Sequence, residues 1–266
     1  MSPRRSGVDV LDLVSRRRDL LAALESAAGT KRELADRLEC SRSTVDRAVR
    51  ECEGRSLVER CADGIRLSTA GRLALAEHRR SLETLATIGD AGSLLASLPP
   101  EAPMALAMLE GATIHEPAGH APNEPLEEIV RLLDGARRFR GLAAVERLPQ
   151  FRTLLYDGTV HGDLDAELVL TDDLLSFLRA NRGDQLRETM ATGRFRVHVI
   201  PSVPYGLGII DRPSTTVAFV VLTSDAGEPT AVVRNDSRAA LEWATAVYDR
   251  YRAAATPVPS PPTGDE

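Results

Sequence analysis

The stretch from Thr30 to Cys52, TKRELADRLECSRSTVDRAVREC, reads as two short helices joined by a tight turn. Thr30-Lys31-Arg32-Glu33 has the form of a capping box, in which a threonine hydroxyl and a glutamate carboxylate satisfy backbone N–H groups that a helix start leaves without partners. Leu34, Ala35 and Leu38 then recur at helical spacing as an inner face. A turn through Glu39 and Cys40 leads to Ser41, a favoured N-cap, and to a second helix whose inner face is Val45, Ala48, Val49 and Cys52. With those four turned inward, Ser43, Arg47 and Arg50 stand on the opposite face, with Arg42 and Thr44 in the first turn. A capped basic helix of this kind suits the DNA major groove, where arginine can donate two hydrogen bonds to guanine. Arg42 and Arg47 are the candidates for base contact. Arg50, Lys31, Arg32 and Arg66 are placed for phosphates, which set affinity and salt dependence rather than sequence preference.

On the N-terminal side, Val10, Leu13, Val14, Leu20, Leu21 and Leu24 predict one amphipathic helix over Val8 to Ala27, ending near Gly29. On the C-terminal side, Leu57 to Arg60 and Ile65 to Ser68 flank Cys61-Ala62-Asp63-Gly64, and an Asp-Gly turn between short strands signals a hairpin. Residues 1–72 are therefore expected to form a winged helix-turn-helix, with the hairpin as its wing. Leu75, Leu82 and Leu85 predict a helix from Leu73 to about Ile88 with a partner surface. Gly89-Asp90-Ala91-Gly92 and Pro99-Pro100 make residues 73–98 a linker helix and hinge.

The net charge of −6 becomes informative once divided along the chain. Residues 1–80 hold 17 Arg or Lys against 13 Asp or Glu, which is +4 and leaves −10 for the remainder. A basic N-terminal module can meet phosphate while an acidic body stays soluble. Lys31 is the sole lysine, an arginine bias that suggests a GC-rich genome and, with the acidic body, fits a salt-adapted cytoplasm. Three cysteines, Cys40, Cys52 and Cys61, with no C-x-x-C pair, argue against a disulfide framework and for a reducing compartment. Oxidation of Cys40 beside the second helix is conceivable as control, against buried inert thiols. Met1-Ser2-Pro3-Arg4-Arg5 leads into a charged stretch without a signal-peptide core, and apolar runs such as Val217 to Leu222 are far shorter than a membrane span. The expectation is a soluble cytoplasmic protein with no membrane contact.

Residues 99–255 mix two periods. Strand-like runs at Gly141–Val145, Glu167–Leu170, Phe195–Ile200, Leu207–Ile210, Thr216–Leu222 and Thr230–Arg234 alternate with helical patterns at Leu126–Arg137, Asp172–Asn181 and Ser237–Ala255. The fold class predicted is two-domain: the winged helix followed by an α/β sheet effector domain. Gly227-Glu228-Pro229 is expected to join the last two strands, and the proline-rich tail 256–266 to be disordered.

Several segments carry a resemblance. Lys31-Arg32-Glu33-Leu34-Ala35, Ser41-Arg42-Ser43-Thr44-Val45 and Leu67-Ser68-Thr69-Ala70-Gly71-Arg72 look like winged-helix regulator segments. Met108-Leu109-Glu110-Gly111-Ala112, His120-Ala121-Pro122, Ala166-Glu167-Leu168-Val169-Leu170-Thr171, Pro204-Tyr205-Gly206-Leu207 and Asn235-Asp236-Ser237 leading to Trp243 are the more specific landmarks. Together the chain resembles archaeal winged-helix regulators whose middle domain is named for methanogenesis-regulatory, filament-forming proteins, a family widespread in haloarchaea. The resemblance implies a transcription factor acting on double-stranded promoter DNA, as a dimer, with the C-terminal domain as effector or oligomerisation module. It assigns no effector and no cofactor. Some archaeal regulators of sugar metabolism pair a winged helix with a phospholipase-D-like domain, but the H-x-K motif of that superfamily is missing here. His161 is followed by Gly162-Asp163 and His198 by Val199-Ile200.

The second domain shows no nucleophile elbow, P-loop or zinc-ligand spacing, and Gly206-Leu207-Gly208 lacks the helix and third glycine of a dinucleotide loop. It is read as a bend between strands. His161, Asp163 and Asp165 could gather around a metal but read as a solvated turn, so no metal site is assigned; Asp172 and Asp173 complement a helix start. Tyr205, Asp211 and Asn235 fall at strand ends, where open α/β sheets place ligands, and with Trp243 they are the candidates for a small-molecule effector. Trp243, Tyr248 and Tyr251 also read as core or dimer interface. Dimer contacts are expected from Val8–Ala27, Leu73–Ile88, or both, with two recognition helices about one DNA turn apart. A winged-helix adaptor that binds protein, and an uncharacterised α/β enzyme, are the alternatives.

Overall fold

The computed structural model describes residues 7–118, 120–121, 123–224 and 228–260, and the chain divides into two compact units at Ala86/Thr87. The first unit begins with α1 (Gly7–Arg16) and α2 (Arg18–Ser26), two helices where the sequence pattern predicts one. Arg17 between them has φ −114° and ψ 18°, and its guanidinium meets Glu51 at 2.9 Å. The bend has a packing reason: Leu13 and Val14 on α1 and Leu20, Leu21 and Leu24 on α2 all bury into the same core. Next come α3 (Lys31–Arg37), α4 (Arg42–Gly54), the hairpin strands β1 (Val58–Cys61) and β2 (Gly64–Leu67), and α5 (Thr69–Asp90). Gly29 exchanges both backbone hydrogen bonds with Ile65, at 3.0 and 2.9 Å, and so extends the hairpin by a third short edge. The chain also closes tightly at Gly71, where a Cβ would stand 2.0 Å from the Leu57 carbonyl oxygen.

The second unit opens with α6 (Gly92–Ala96) and α7 (Leu106–Leu109). Ala91 and Leu94, expected in the hinge, lie in this unit's core, because Leu94 with Leu95 and Leu98 makes an apolar surface that has to be covered. There follow β3 (Thr113–His115), α8 (Glu124–Leu133), β4 (Arg138–Ala143), α9 (Pro149–Val160), β5 (Asp165–Thr171), α10 (Asp172–Ala191), β6 (Phe195–Ile200), β7 (Gly206–Asp211), β8 (Thr216–Thr223), β9 (Pro229–Asn235), α11 (Arg238–Ala254) and β10 (Thr256–Pro257). One eight-stranded sheet has the order β10-β6-β5-β4-β7-β8-β9-β3, with β4, β5 and β6 parallel and the other pairings antiparallel. The alternating pattern predicts an α/β sheet domain; the sheet is mixed and flanked by helices.

Both faces of the sheet are buried, which is why its strands read as continuous apolar runs. One face carries Leu142, Val169, Leu207, Ile209 and Val220 against α6, α7 and α11. The other carries Phe139, Leu168, Leu170, Ile210 and Phe219 against α8, α9 and α10. Four differences from the sequence expectations follow from this packing. The helix expected over Asp172–Asn181 continues to Ala191 across a break at Arg182, φ −144° and ψ 25°, because Leu186 and Met190 resume the same buried face. Gly206-Leu207-Gly208 is part of β7 rather than a bend; at Gly208 a Cβ would lie 2.1 Å from the Phe219 ring, so glycine makes room for that ring. The tail is ordered at its start: β10 pairs with β6, and the Val258 N–H donates to the Val197 carbonyl at 2.9 Å. The helix α9 falls where no helix is predicted. Residues 261–266, Pro122 of the His120-Ala121-Pro122 landmark, and Gly227 of the expected Gly227–Pro229 turn lie outside the described residues.

Candidate nucleic-acid interface

α3 and α4 are held at their starts by the caps the sequence predicts. The Thr30 N–H donates to Glu33 Oε2 at 2.7 Å and the Glu33 N–H to Thr30 Oγ1 at 3.3 Å. The backbone hydrogen bond from Thr30 is the main cause that holds the Glu33 carboxyl below its ordinary range. Ser41 Oγ accepts from the Thr44 N–H at 3.2 Å and bonds the Ser43 and Thr44 hydroxyls at 2.8 Å each, so these two candidate contacts are already oriented by the cap. In the turn, Glu39 takes φ 49°, and the Cys40 N–H reaches back to the Ala35 carbonyl at 3.1 Å.

Val45, Ala48, Val49 and Cys52 are all buried, which orients the opposite face of α4 outward. Arg42 and Arg47 are exposed there, as is Arg32 on α3. Among the described residues none of these three makes a hydrogen bond or ion pair. The remaining cationic candidates are engaged. Lys31 Nζ and Arg50 both converge on the Asp46 carboxylate, the latter at 2.7 Å, and Arg66 pairs across the hairpin with Glu59 at 2.8 Å. The hydrogen bond from Lys31 is the main cause that keeps the Asp46 carboxyl below its ordinary range. Such partly exposed pairs contribute little to stability, so their cations can exchange an internal carboxylate for an external phosphate at small cost. Asp46 is the functional residue that sequence reasoning missed. Its i,i+4 spacing to Arg50 was a legible signal, whereas its pairing with Lys31 on another helix was not.

The cysteines sit in this unit: Cys52 is buried and burial pushes its thiol up to about 11, while Cys40 and Cys61 are half-buried and free.

In the second unit the four effector candidates do not gather in one place. Asn235 Nδ2 donates to the Met108 and Glu110 carbonyls at 3.2 and 2.9 Å, and its Oδ1 accepts from the Ser237 N–H at 2.8 Å, which ties α7 to the start of α11. Trp243 packs partly buried on the α11 side, with Tyr251 beside that core and Tyr248 inside it. Asp211 accepts from the Thr216 hydroxyl at 2.9 Å. Tyr205 is buried, donates its hydroxyl to the Pro103 carbonyl, and alone of the four borders a cavity on the α8–α10 side. Asp165 is held by Arg196 at 2.7 Å, and the His161 ring meets Tyr156 edge to face at 5.7 Å. Outside the sequence candidates, the buried Glu167 carboxylate meets the buried His198 at 3.0 Å and the exposed Arg252 at 2.6 Å.

The family model described as the methanogenesis regulatory protein FilR1, middle domain, matches residues 122–254, half of the chain. The chain belongs to the FilR1 middle-domain family. The FilR1-type domain thus takes in α8 to α11 and the sheet from β4 to β9. Ahead of it, the model described as the HVO_A0261 N-terminal domain matches residues 5–89 and covers the interface on α3, α4 and the hairpin. No curated protein matches the chain. Among solved structures, it is similar to TrmBL2, described as an archaeal chromatin protein with a novel mode of DNA binding, at 13% identity over 95% of this chain and 100% of that one, with a TM-score of 0.42. It is also similar to Nuc, a phospholipase D family member from Salmonella typhimurium, at 14% identity over 56% of this chain and 99% of that one, with a TM-score of 0.38. Likenesses at that level assign neither fold nor activity to the FilR1-type domain.

Proposed function

We propose that this protein is a transcriptional regulator that binds double-stranded promoter DNA through a winged helix-turn-helix, with α4 as recognition helix and the β1–β2 hairpin as wing. The observation that carries the reading is the row of exposed, unpartnered Arg42 and Arg47 on a capped helix whose other face is fully buried. Folding does not need those guanidiniums; a base edge or phosphate does. The regulatory description of the family domain supports the same reading. Arg42 and Arg47 contact bases, with Ser43 and Thr44 beside them, and Lys31, Arg32, Arg50 and Arg66 contact phosphates.

The regulator acts in the cytoplasm as a homodimer, its FilR1-type domain sensing a small-molecule effector rather than catalysing a reaction. Support for the dimer is the exposure of Val8 and Leu11 on α1 and of Leu73, Leu82 and Leu85 on α5. No helix among the described residues is long and apolar enough to cross a membrane. The test is a titration of the full chain on promoter duplex across salt concentrations. A steep fall of affinity with salt, lost together with sequence preference in Arg42→Ala/Arg47→Ala, is the expected result. Affinity for DNA that is weak, non-specific and untouched by that variant overturns it in favour of a protein-binding adaptor.

A further inference from the structure

A cavity of about 260 Å³ lies in the second unit between the sheet and the α8, α9 and α10 layer. Its floor is aromatic and aliphatic: the Phe139 and Phe219 rings stack at 6.4 Å with 7° between their planes, and Leu168 and Leu170 continue the surface along β5. Glycine shapes this floor: Gly208 on β7 leaves Phe219 room to lie over the strand, and Gly141 opposite it on β4 leaves room for the Phe139 ring, 2.9 Å from where a Cβ would stand.

The position of the cavity carries the second part of the inference. Its lining takes in the segments that follow the three parallel strands: Ala144 to Leu148 after β4, Leu174 near the start of α10 after β5, and Val203 to Tyr205 after β6. The chain then returns as β7 on the other side of β4, so the strand order reverses beside the cavity. Open α/β sheets place ligands at the carboxyl ends of parallel strands, next to such a reversal. Charge decides the rest. The rim carries Arg147, Arg152 and Arg182 against one carboxylate, Glu146, which pairs with Arg152. The helical break puts Arg182 at this rim, where its described bond is a single donation to the Asn181 carbonyl at 2.8 Å.

We propose that this cavity binds a small amphipathic carboxylate, with its apolar body on Phe139, Phe219 and Leu168 and its anionic head at the Arg182 side of the rim. The volume, just below the ~300 Å³ lower end for small-molecule sites, suits a medium-length acyl chain or a single aromatic ring. Calling the ligand an effector rests on the regulator reading; the binding site does not.

The test is calorimetric titration of the full chain without DNA, using sodium octanoate and 4-phenylbutyrate, with 1-octanol and octylamine as uncharged and cationic counterparts. Saturable one-site binding of a carboxylate is expected, with 1-octanol about ten- to a hundredfold weaker and octylamine weaker again. Ala144 is an exposed residue of the lining, so Ala144→Trp is expected to keep the circular dichroism of the wild type and to block every probe. Arg182→Gln is expected to weaken the carboxylates about tenfold and leave 1-octanol unchanged. No saturable heat for either carboxylate, octylamine binding as well as octanoate, or octanoate binding unaltered in folded Ala144→Trp each overturns the proposal. Octanoate binding by a protein that fails to bind DNA would retain this site and remove the regulator; DNA binding without octanoate binding would do the reverse.

Discussion

The arginines of the α3–α4 face and those that brace the second unit's sheet are used in opposite ways. In the second unit Arg196 is held by Asp165, Arg252 by Glu167, Arg194 by the Thr159 carbonyl at 3.0 Å, and Arg212 by the carbonyls of Arg131 and Leu132 at 3.0 and 3.3 Å. These guanidiniums tie β6 and α11 to β5 and hold the ends of α8 and α9, and it is the buried Glu167 carboxylate that would carry the cost of desolvation without compensation if left unpaired. In the first unit Arg32, Arg42 and Arg47 stand exposed and unpaired among the described residues. Arginine that fastens nothing inside its own chain is free for an external anion.

The largest effect that separates the two units is mechanical. Gly71→Val drives a side chain into the Leu57 carbonyl and is expected to lower the stability of the first unit by about 3 kcal/mol. Scanning calorimetry should show an earlier transition for that unit and an unchanged one for the FilR1-type domain. Arg42→Ala/Arg47→Ala is the next largest: about a hundredfold loss of affinity for specific duplex. Arg196→Ala, which removes a guanidinium that fastens the fold, should leave DNA affinity at the wild-type value, as measured by fluorescence anisotropy. Equal losses in both variants would erase the distinction.

A smaller effect comes from Cys52. Burial raises its thiol from an ordinary value of 9.0 to about 11, so the unfolded chain releases that proton first as pH rises. The associated stability is fully present below pH 9 and is lost between pH 9 and 11, by about 3 kcal/mol. Urea titrations across that window should show this loss in the wild type and its absence in Cys52→Ala. The smallest effect is at Asp46. Asp46→Asn frees Lys31 and Arg50 and removes a negative charge beside the interface, so DNA affinity should rise about threefold to tenfold at low salt and converge with the wild type as salt screens it.

Local signals made the first unit legible. The capping box at Thr30, the Ser41 cap, the inner face of α4 and the hairpin depend on residues only a few positions apart; the caps and the inner face are found where the sequence places them, and the hairpin turns more tightly than expected, at Ala62-Asp63 with Cys61 paired to Gly64. The bend at Arg17 was hidden because Leu13, Leu20 and Leu24 keep a helical period on both sides of it. In the second unit β4 to β9 were legible as apolar runs, but the short edge strands β3 and β10, α9 and the second half of α10 were not: a helix packed on a sheet needs only a few inward leucines, and Arg182-Gly183 interrupts the pattern. The effector candidates were chosen for strand-end position. That cannot tell which sheet face a residue serves, and it missed that Asn235 is occupied as a tie between α7 and α11.

The central claim is that Arg42 and Arg47 read promoter DNA. Genome-wide immunoprecipitation of the tagged protein from its host, wild type beside Arg42→Ala/Arg47→Ala, tests it most directly. Discrete promoter peaks in the wild type that vanish in a variant of equal abundance are the predicted result. Peaks that persist unchanged in the variant, or no enrichment from a folded and expressed wild type, would contradict it.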